Sequence, residues 1–317
     1  MSQPSSLLDP IVLVCAADDR YALPLAVTVV SVAMNHRGDR PLQLFVIDGG
    51  IQAENRRRLE RTMQRHRVAL QWITPDATQV EHLMISGHIT TACYYRLLIP
   101  DLLPKHIEKA LYLDSDLIVL GDIEDLWNEH LGNQALLAVA DLNAHYVSSP
   151  MGLLNYKALG IPSNRKYFNS GVLCLNLALW RRERLAQKVV SYIEQNREFV
   201  RWHDQDGLNA ILFDRWGELD PQWNRASVLH RCQSWQDSPY SEALFKRLLK
   251  HPAIIHFTES GKPWTPGFQH PEKHYFFEYL DRTAWSGWQI RFDLWLQRVQ
   301  TKVEKLRRSP SISGELA

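Results

Sequence analysis

The sequence predicts one large α/β domain with an appendage, its binding edge crowded with polar side chains. Two observations lead there. Through residues 11–74, short continuous apolar runs alternate with helical stretches, the pattern of strands joined by crossover helices. Several of the chain's apolar runs also stop on Asp, His or Asn. In open α/β sheets ligands bind outside the carboxyl ends of the strands, so topology gathers groups that lie far apart along the chain.

IVLVCAADD (11–19) reads as a buried parallel strand: the apolar run is unbroken and two acids close it. LPLAVTVVSVAMNH (23–36) stays apolar throughout and reads as a buried helix. PLQLFVIDGG (41–50) returns a second strand, QAENRRRLERTMQRH a surface helix and VALQWIT (68–74) a third strand. Around 88–107 a helix is ended by Pro100 and followed by a turn-rich piece. ALYLD (110–114) and DLIVLGD (116–122) supply two short strands, and LLAVAD (136–141) another that ends on an acid. YFNSGVLCLN (167–176) mixes asparagines into an apolar segment, and the helix AQKVVSYIEQNREF follows. WHDQDGLNAILF (202–213) opens with acids and turns into an apolar-faced helix, and AIIHFT (253–258) is a late short strand. RRSPSISGELA (307–317) has the composition of a disordered tail.

Composition sets some classes aside. The 317 residues carry a formal net charge of +1, whereas a nucleic-acid binder usually shows a pronounced basic excess. No apolar run approaches the ~20 residues that span a bilayer. The opening MSQPSSLLDP lacks the charged and apolar regions of a secretory signal. Cys15, Cys93, Cys174 and Cys232 stand alone without C-x-x-C spacing. They read as core-filling thiols in a reducing, cytoplasmic compartment, and neither disulfides nor zinc sites are expected from them.

ALYLDSDLIVLGD (110–122) poses a physical question, because Asp114 and Asp116 close a hydrophobic run. Charge is costly to desolvate unless something positive meets it. At i, i+2 on an extended segment both carboxylates point to one side, where they can approach one hard cation. Carboxylates suit Mg²⁺ or Mn²⁺, and an imidazole such as His256 tilts the choice toward Mn²⁺. Taken alone, a D-x-D triplet is a weak signal, and a lone histidine on an apolar strand is commonly a core residue.

The context is stronger. AADDRYA (16–22), DSD (114–116), YFNSGVLCLN (167–176), HDQD (203–206) and HFTESGKPW (256–264) occur in that order. Together they resemble the retaining glycosyltransferases of family 8, which include bacterial lipopolysaccharide galactosyl- and glucosyltransferases and glycogenin. The resemblance runs from about residue 11 to about 266 and is closest to bacterial α-galactosyltransferases of lipooligosaccharide synthesis. It implies a GT-A fold, a Rossmann-like nucleotide-sugar-binding domain with a mixed central sheet and a C-terminal helical extension. The domain would occupy 1–266, a helical, membrane-surface segment 267–308, and the tail 309–317. The implied donor is UDP-galactose or UDP-glucose, the cofactor Mn²⁺ (with Mg²⁺ as the alternative), and the acceptor a saccharide or glycolipid.

Carried over by position, the resemblance implies that Ala16, Asp18 and Tyr21 form the uridine pocket, with Tyr21 stacked on the ring. Asp114, Asp116 and His256 would hold the metal, and Arg96 would reach the donor near the sugar or Asp114. Asn169 and Ser170 would line the sugar and metal neighbourhood. Asp204 and Gln205 would bind donor hydroxyls, with Gln205 nearest the reacting carbon. Lys262 would meet the departing diphosphate, while His88 and Asp141 would touch the acceptor. Gln205 is a poor nucleophile, so retention implies front-face displacement, with Asp204 as the less favoured nucleophile.

The chain departs from the family pattern at Glu259, where a glycine usually follows the metal histidine. Glycine lets backbone approach a phosphate closely; a glutamate adds bulk and charge, and Gly261 would take over that role. Two other readings stay open on the sequence. A non-catalytic UDP-sugar-binding protein of the same fold is kept alive by Glu259. Another metal-dependent nucleotide transferase is weakened by the absence of a G-x-x-x-x-G-K-[ST] or G-x-G-x-x-G loop. Asp206 reads as a helix N-terminal acid, and the arginine run 54–67 as a solvated helix face. WSGWQIRFDLWLQRVQTKVEKLRR (285–308) carries six basic residues against two acids, with Trp285, Trp288 and Trp295 among them. That mixture suits an interfacial anchor at the inner face of the membrane, where lipid-linked acceptors lie.

Overall fold

Residues 9–84 and 90–288 are described by the computed structural model. The amino half alternates as the sequence expects, through β1 (Ile11–Ala17), α1 (Ala22–Asn35), β2 (Leu42–Asp48), α2 (Ala53–Arg65) and β3 (Val68–Ile73). Then come α3 (Tyr95–Leu102), β4 (Lys109–Leu113), β5 (Leu117–Val119), α4 (Ile123–Trp127), β6 (Leu136–Ala140) and β7 (Phe168–Asn176). α5 (Leu177–Glu183), α6 (Leu185–Gln195), α7 (Asp204–Leu212), β8 (Trp216–Glu218) and β9 (Arg225–Ala226) follow. The described chain closes with α8 (Glu242–Lys250), β10 (Ile254–His256) and α9 (Lys273–Leu280). A seven-stranded mixed sheet runs β3-β2-β1-β4-β7-β6-β8, and a three-stranded one runs β5-β10-β9.

β1 has a parallel neighbour on each side, β2 and β4. Its residues alternate between two cores: Ile11, Leu13, Cys15 and Ala17 face one, Val12 and Val14 the other. A strand buried on both faces has no polar alternation, which is why IVLVCAA reads as a continuous apolar run. The first core is covered by α1, α2 and α9, the second by α3, α5, α6 and α7.

β7 runs antiparallel to both β4 and β6. Its beginning therefore lands on the edge where β1, β4 and β6 end. Asn169 and Ser170 reach that edge from the start of a strand, not from its finish. Pairing between β6 and β7 jumps from Leu137–Cys174 to Val139–Asn169, an irregularity of the kind that re-aims side chains beside active sites.

The small sheet depends on α1. The Thr28 hydroxyl donates to the Leu117 carbonyl at 2.9 Å and accepts from the Leu117 amide at 3.2 Å. The Ser31 hydroxyl accepts from the Val119 amide at 2.9 Å, and the Asn35 amide donates to the Val119 carbonyl at 2.9 Å. Three polar side chains of a largely apolar helix thus replace a strand neighbour along the outer edge of β5. Buried backbone groups require such partners.

Two local readings change. Pro100 does not end its helix: a tight turn over Thr91–Tyr94 leads into α3, which runs on to Leu102. The proline removes only its own bond to the Arg96 carbonyl, and the helical pattern continues beyond it to the Leu103 amide, which donates to the Ile99 carbonyl. Arg181 of α5 donates to the carbonyls of Pro100, Leu103 and Ile107, at and just beyond the end of α3. Asp114 and Asp116 lie on a turn between β4 and β5 and not on an extended segment. Cys15 and Cys174 are buried free thiols, and Cys93 and Cys232 are half-buried ones.

Phe276, Tyr279, Leu280 and Trp285 pack into the same core as α1. The Ala284 amide donates to the Thr62 hydroxyl of α2 at 2.9 Å. His88, Trp295 and the tail expected at 309–317 lie outside the described residues. No described helix is long and apolar enough to cross a membrane.

Candidate active site

Where β1, β4 and β6 end and β7 begins, a cleft of about 540 Å³ opens. Every residue expected to bind metal, donor or acceptor lines it, apart from two. His88 is outside the described residues. Gly261 sits beside the cleft against the Phe268 ring, where a Cβ would come within 2.9 Å.

Asp114, Asp116 and His256 bring their ligand atoms within 4.8 Å of one another. Each carboxylate commits one oxygen to a partner and turns the other toward the histidine. Asp114 Oδ1 accepts from the Tyr112 hydroxyl at 2.7 Å and pairs with Arg96 at 2.9 Å, leaving Oδ2 3.8 Å from His256 Nε2. Asp116 Oδ2 takes the Lys262 ammonium at 2.7 Å, leaving Oδ1 3.3 Å from the same Nε2. His256 Nδ1 donates to Asn224 Oδ1 at 2.8 Å, which fixes the tautomer that presents the Nε2 lone pair. Asn224 in turn donates to Asn169 at 2.8 Å, and Asn169 to Asp141 at 3.0 Å. Three oriented one-atom donors with an outer shell of hydrogen bonds fit a divalent cation. Burial alone would push the Asp116 carboxyl up. Lys262 and His256 outweigh it and hold this group well below the usual carboxylate range.

Arg96 is the hub between Asp114 and Asp204. Its guanidinium is 7% exposed and stacks over the Tyr112 ring at 4.5 Å. It pairs with Asp114 at 2.9 Å and Asp204 at 3.1 Å, and donates to Ser170 Oγ at 3.0 Å. One cation serves two carboxylates here, and Asp204 is the worse placed. Burial pushes the Asp204 carboxyl up to about 6, with Arg96 opposing that rise and Asp114 reinforcing it. Gln205 Oε1 accepts from the Ser170 amide at 3.0 Å, and its amide nitrogen lies 3.4 Å from Asp141.

At the other end, Asp18 folds back to accept the amides of Arg20 and Tyr21, and so shapes the corner beside Ala16. The Tyr21 ring meets Trp264 edge-on at 5.8 Å, tying this corner to the loop that carries Lys262. His203, which precedes α7, holds φ 53°, a costly value for a residue with a Cβ.

Residues 12–266 match the family described as Glycosyl transferase family 8. The chain belongs to glycosyltransferase family 8. It is a glycosyltransferase. General stress protein A of Bacillus subtilis (strain 168) is 35% identical over 86% of this chain and 94% of its own length. Lipopolysaccharide 1,2-glucosyltransferase of Escherichia coli (strain K12) is 23% identical over 85% of this chain and 77% of its own. The galactosyltransferase LgtC, solved with donor and acceptor sugar analogs, superimposes with a TM-score of 0.75 at 25% identity. It covers 87% of this chain and 99% of LgtC.

Within this family 8 enzyme, Glu259 turns out to be neutralised. It forms an ion pair with Arg231 and lines a neighbouring recess rather than the main cleft. Asp206 is more than a helix-end acid: it is 1% exposed and binds the Tyr167 hydroxyl and the amides of Arg201 and Trp202. Four contributors escaped the sequence reading. Tyr112 and Asn224 orient metal-ligand candidates, Trp202 stands 39% exposed at the mouth, and Gly171 leaves room for the metal set. A Cβ on Gly171 would lie 2.3 Å from His256 Cε1 and 2.8 Å from Asp114 Oδ2. Gly171→Ala is therefore expected to weaken divalent-cation binding at least tenfold, a loss on the scale of outer-shell lesions. Calorimetric titration with Mn²⁺ checks this, and an unchanged affinity would refute the crowding.

Proposed function

We propose that the protein transfers a hexose, galactose or glucose, from a UDP-sugar to a saccharide acceptor with retention of the α configuration. The observation that supports this best is the convergence of Asp114, Asp116 and His256 beside Lys262, in a cleft that Arg96, Asn169, Asp204 and Gln205 also line. Asp114, Asp116 and His256 would hold Mn²⁺, which would neutralise the diphosphate and draw charge from the leaving oxygen. Ala16, Asp18 and Tyr21 take the uridine. Lys262, held on Asp116 in the free protein, moves its ammonium to the β-phosphate as negative charge builds there. Asp204 and Gln205 hold donor hydroxyls, with Gln205 nearest the reacting carbon, Arg96 reaches the donor beside Asp114, and Asp141 faces the acceptor.

Front-face displacement fits the side chains on hand. Asp204 is 4% exposed and bound by Ser170 at 3.1 Å and by Arg96, so it is poorly placed to attack the sugar. Gln205 is weakly nucleophilic, and its carbonyl oxygen is engaged by Ser170. The leaving phosphate oxygen then takes the acceptor's proton. A lipopolysaccharide core or similar glycan is the acceptor class, by likeness to the E. coli glucosyltransferase. We place the enzyme in the cytoplasm at the inner membrane face, with residues 1–266 as the catalytic unit; of the segment expected to face lipid, Phe276, Tyr279, Leu280 and Trp285 are instead committed to the core.

The test is UDP release from a panel of UDP-sugars, each with Mn²⁺ and with EDTA. Release from one hexose donor, abolished by EDTA, is the expected result. No turnover and no UDP binding would overturn the reading.

A further inference from the structure

A second set of metal-competent side chains lies outside the cleft, beneath the loop that carries Lys262. His230 sits in the turn after β9, while His270 and Glu272 immediately precede α9. Ligand atoms of the three lie within 4.8 Å of one another. We propose that His230, His270 and Glu272 form a zinc site that clamps the 257–272 loop onto the β9 turn. The site is independent of the sugar-transfer chemistry.

The geometry at its centre carries the case. His230 Nε2 and Glu272 Oε2 are 3.2 Å apart. Both atoms are buried, and apart from this close approach to each other neither has a hydrogen-bond partner. Buried polar atoms are normally satisfied, and an orphaned pair calls for an ion or a water. Two donors of one tetrahedral zinc ion, each at roughly 2.0–2.1 Å, stand about 3.3 Å apart with their axes crossing at the metal. The observed pair has that separation.

The surroundings agree. Glu272 Oε1 is engaged by the Arg225 guanidinium, itself 2% exposed, which leaves Oε2 as the free ligand oxygen. His270 Nε2 donates to the Ser227 carbonyl at 3.2 Å, the outer-shell bond that orients a ligating imidazole. Its Nδ1 accepts a 3.2 Å bond from the Glu272 amide, which ligation would replace. Both histidines line a recess of about 460 Å³, giving an entry path and room for water as fourth ligand. Two imidazoles and one carboxylate are a softer set than the two carboxylates and one imidazole of the cleft, which favours zinc over Mg²⁺ or Mn²⁺.

The experiment uses the full chain with His256→Ala, so that the cleft competes poorly for metal. Zinc is titrated into metal-free protein, and bound metal is counted after equilibrium dialysis. One zinc per chain is expected, and adding His230→Ala should weaken its binding at least tenfold. The same affinity in both proteins would overturn the proposal. His230 is partly exposed, and circular dichroism reports whether the double variant folds. If it does not, Co²⁺ is bound to the His256→Ala protein instead. Intense visible bands of a four-coordinate ion support the site, and the weak spectrum of a six-coordinate ion sinks it.

Discussion

His256→Ala is expected to lower metal-dependent turnover by roughly a thousandfold or more, because on the proposed function it would remove a ligand from the ion that stabilises the leaving group. The fold should survive. The ring contributes one hydrogen bond, to Asn224, and Asn224 keeps its bond to Asn169. Asp116→Ala should be as inactive but also less stable. Lys262 is 6% exposed and has Asp116 as its counter-charge. Stranding a buried cation costs about 3–5 kcal/mol. Rates of UDP release across a Mn²⁺ series, with thermal melts of each variant, separate the two effects. Wild-type turnover by His256→Ala at saturating Mn²⁺ would mean that the histidine is no ligand.

Asp204→Asn should raise stability and destroy function together. Its carboxyl titrates near 6 in the folded protein, above the usual value, chiefly because it is buried. Between about pH 4 and 6 the native state therefore holds more protons at this site than the unfolded chain does. Its contribution to stability falls as pH rises through that window and stays lost above it. Asparagine removes the penalty, so the variant should gain up to about 2–3 kcal/mol at pH 7–8 and nothing below pH 4. Melting curves across pH read this directly. An equal gain at pH 4 and pH 8 would contradict the burial account. Activity should fall at every pH, because the hydroxyl-binding carboxylate is gone.

The sequence carried much of this chemistry. Asp18, Asp114 and Asp141 each follow a buried strand, and a strand that ends on an acid is a local, readable signal. Asn169 was legible as a motif residue but not as a strand beginning, since the antiparallel course of β7 is a property of the whole sheet. His256 reaches the acids from the small sheet, where it pairs in register with Leu117. Asn224 was invisible: its importance is its contact with His256, 32 residues later, and nothing in QWNRAS encodes it. Gly171 was quoted without its reason, because the space it leaves belongs to two other segments. Glu259 looked like an obstacle to phosphate while its partner, Arg231, stood in an unreadable loop.

The reliance of β5 on α1 has a consequence for biosynthesis. Asp116 and Lys262 are in contact across 146 residues of chain, and β10 arrives almost as late. β5 and its partners Thr28, Ser31 and Asn35 leave the ribosome long before the strand partner of β5 does, although the domain completes its fold as a unit. Until then the acids have no histidine opposite. Truncation before residue 254 would accordingly remove His256 and Lys262 together with the α9 side chains that pack on α1, costing the chain its site and part of its core at once.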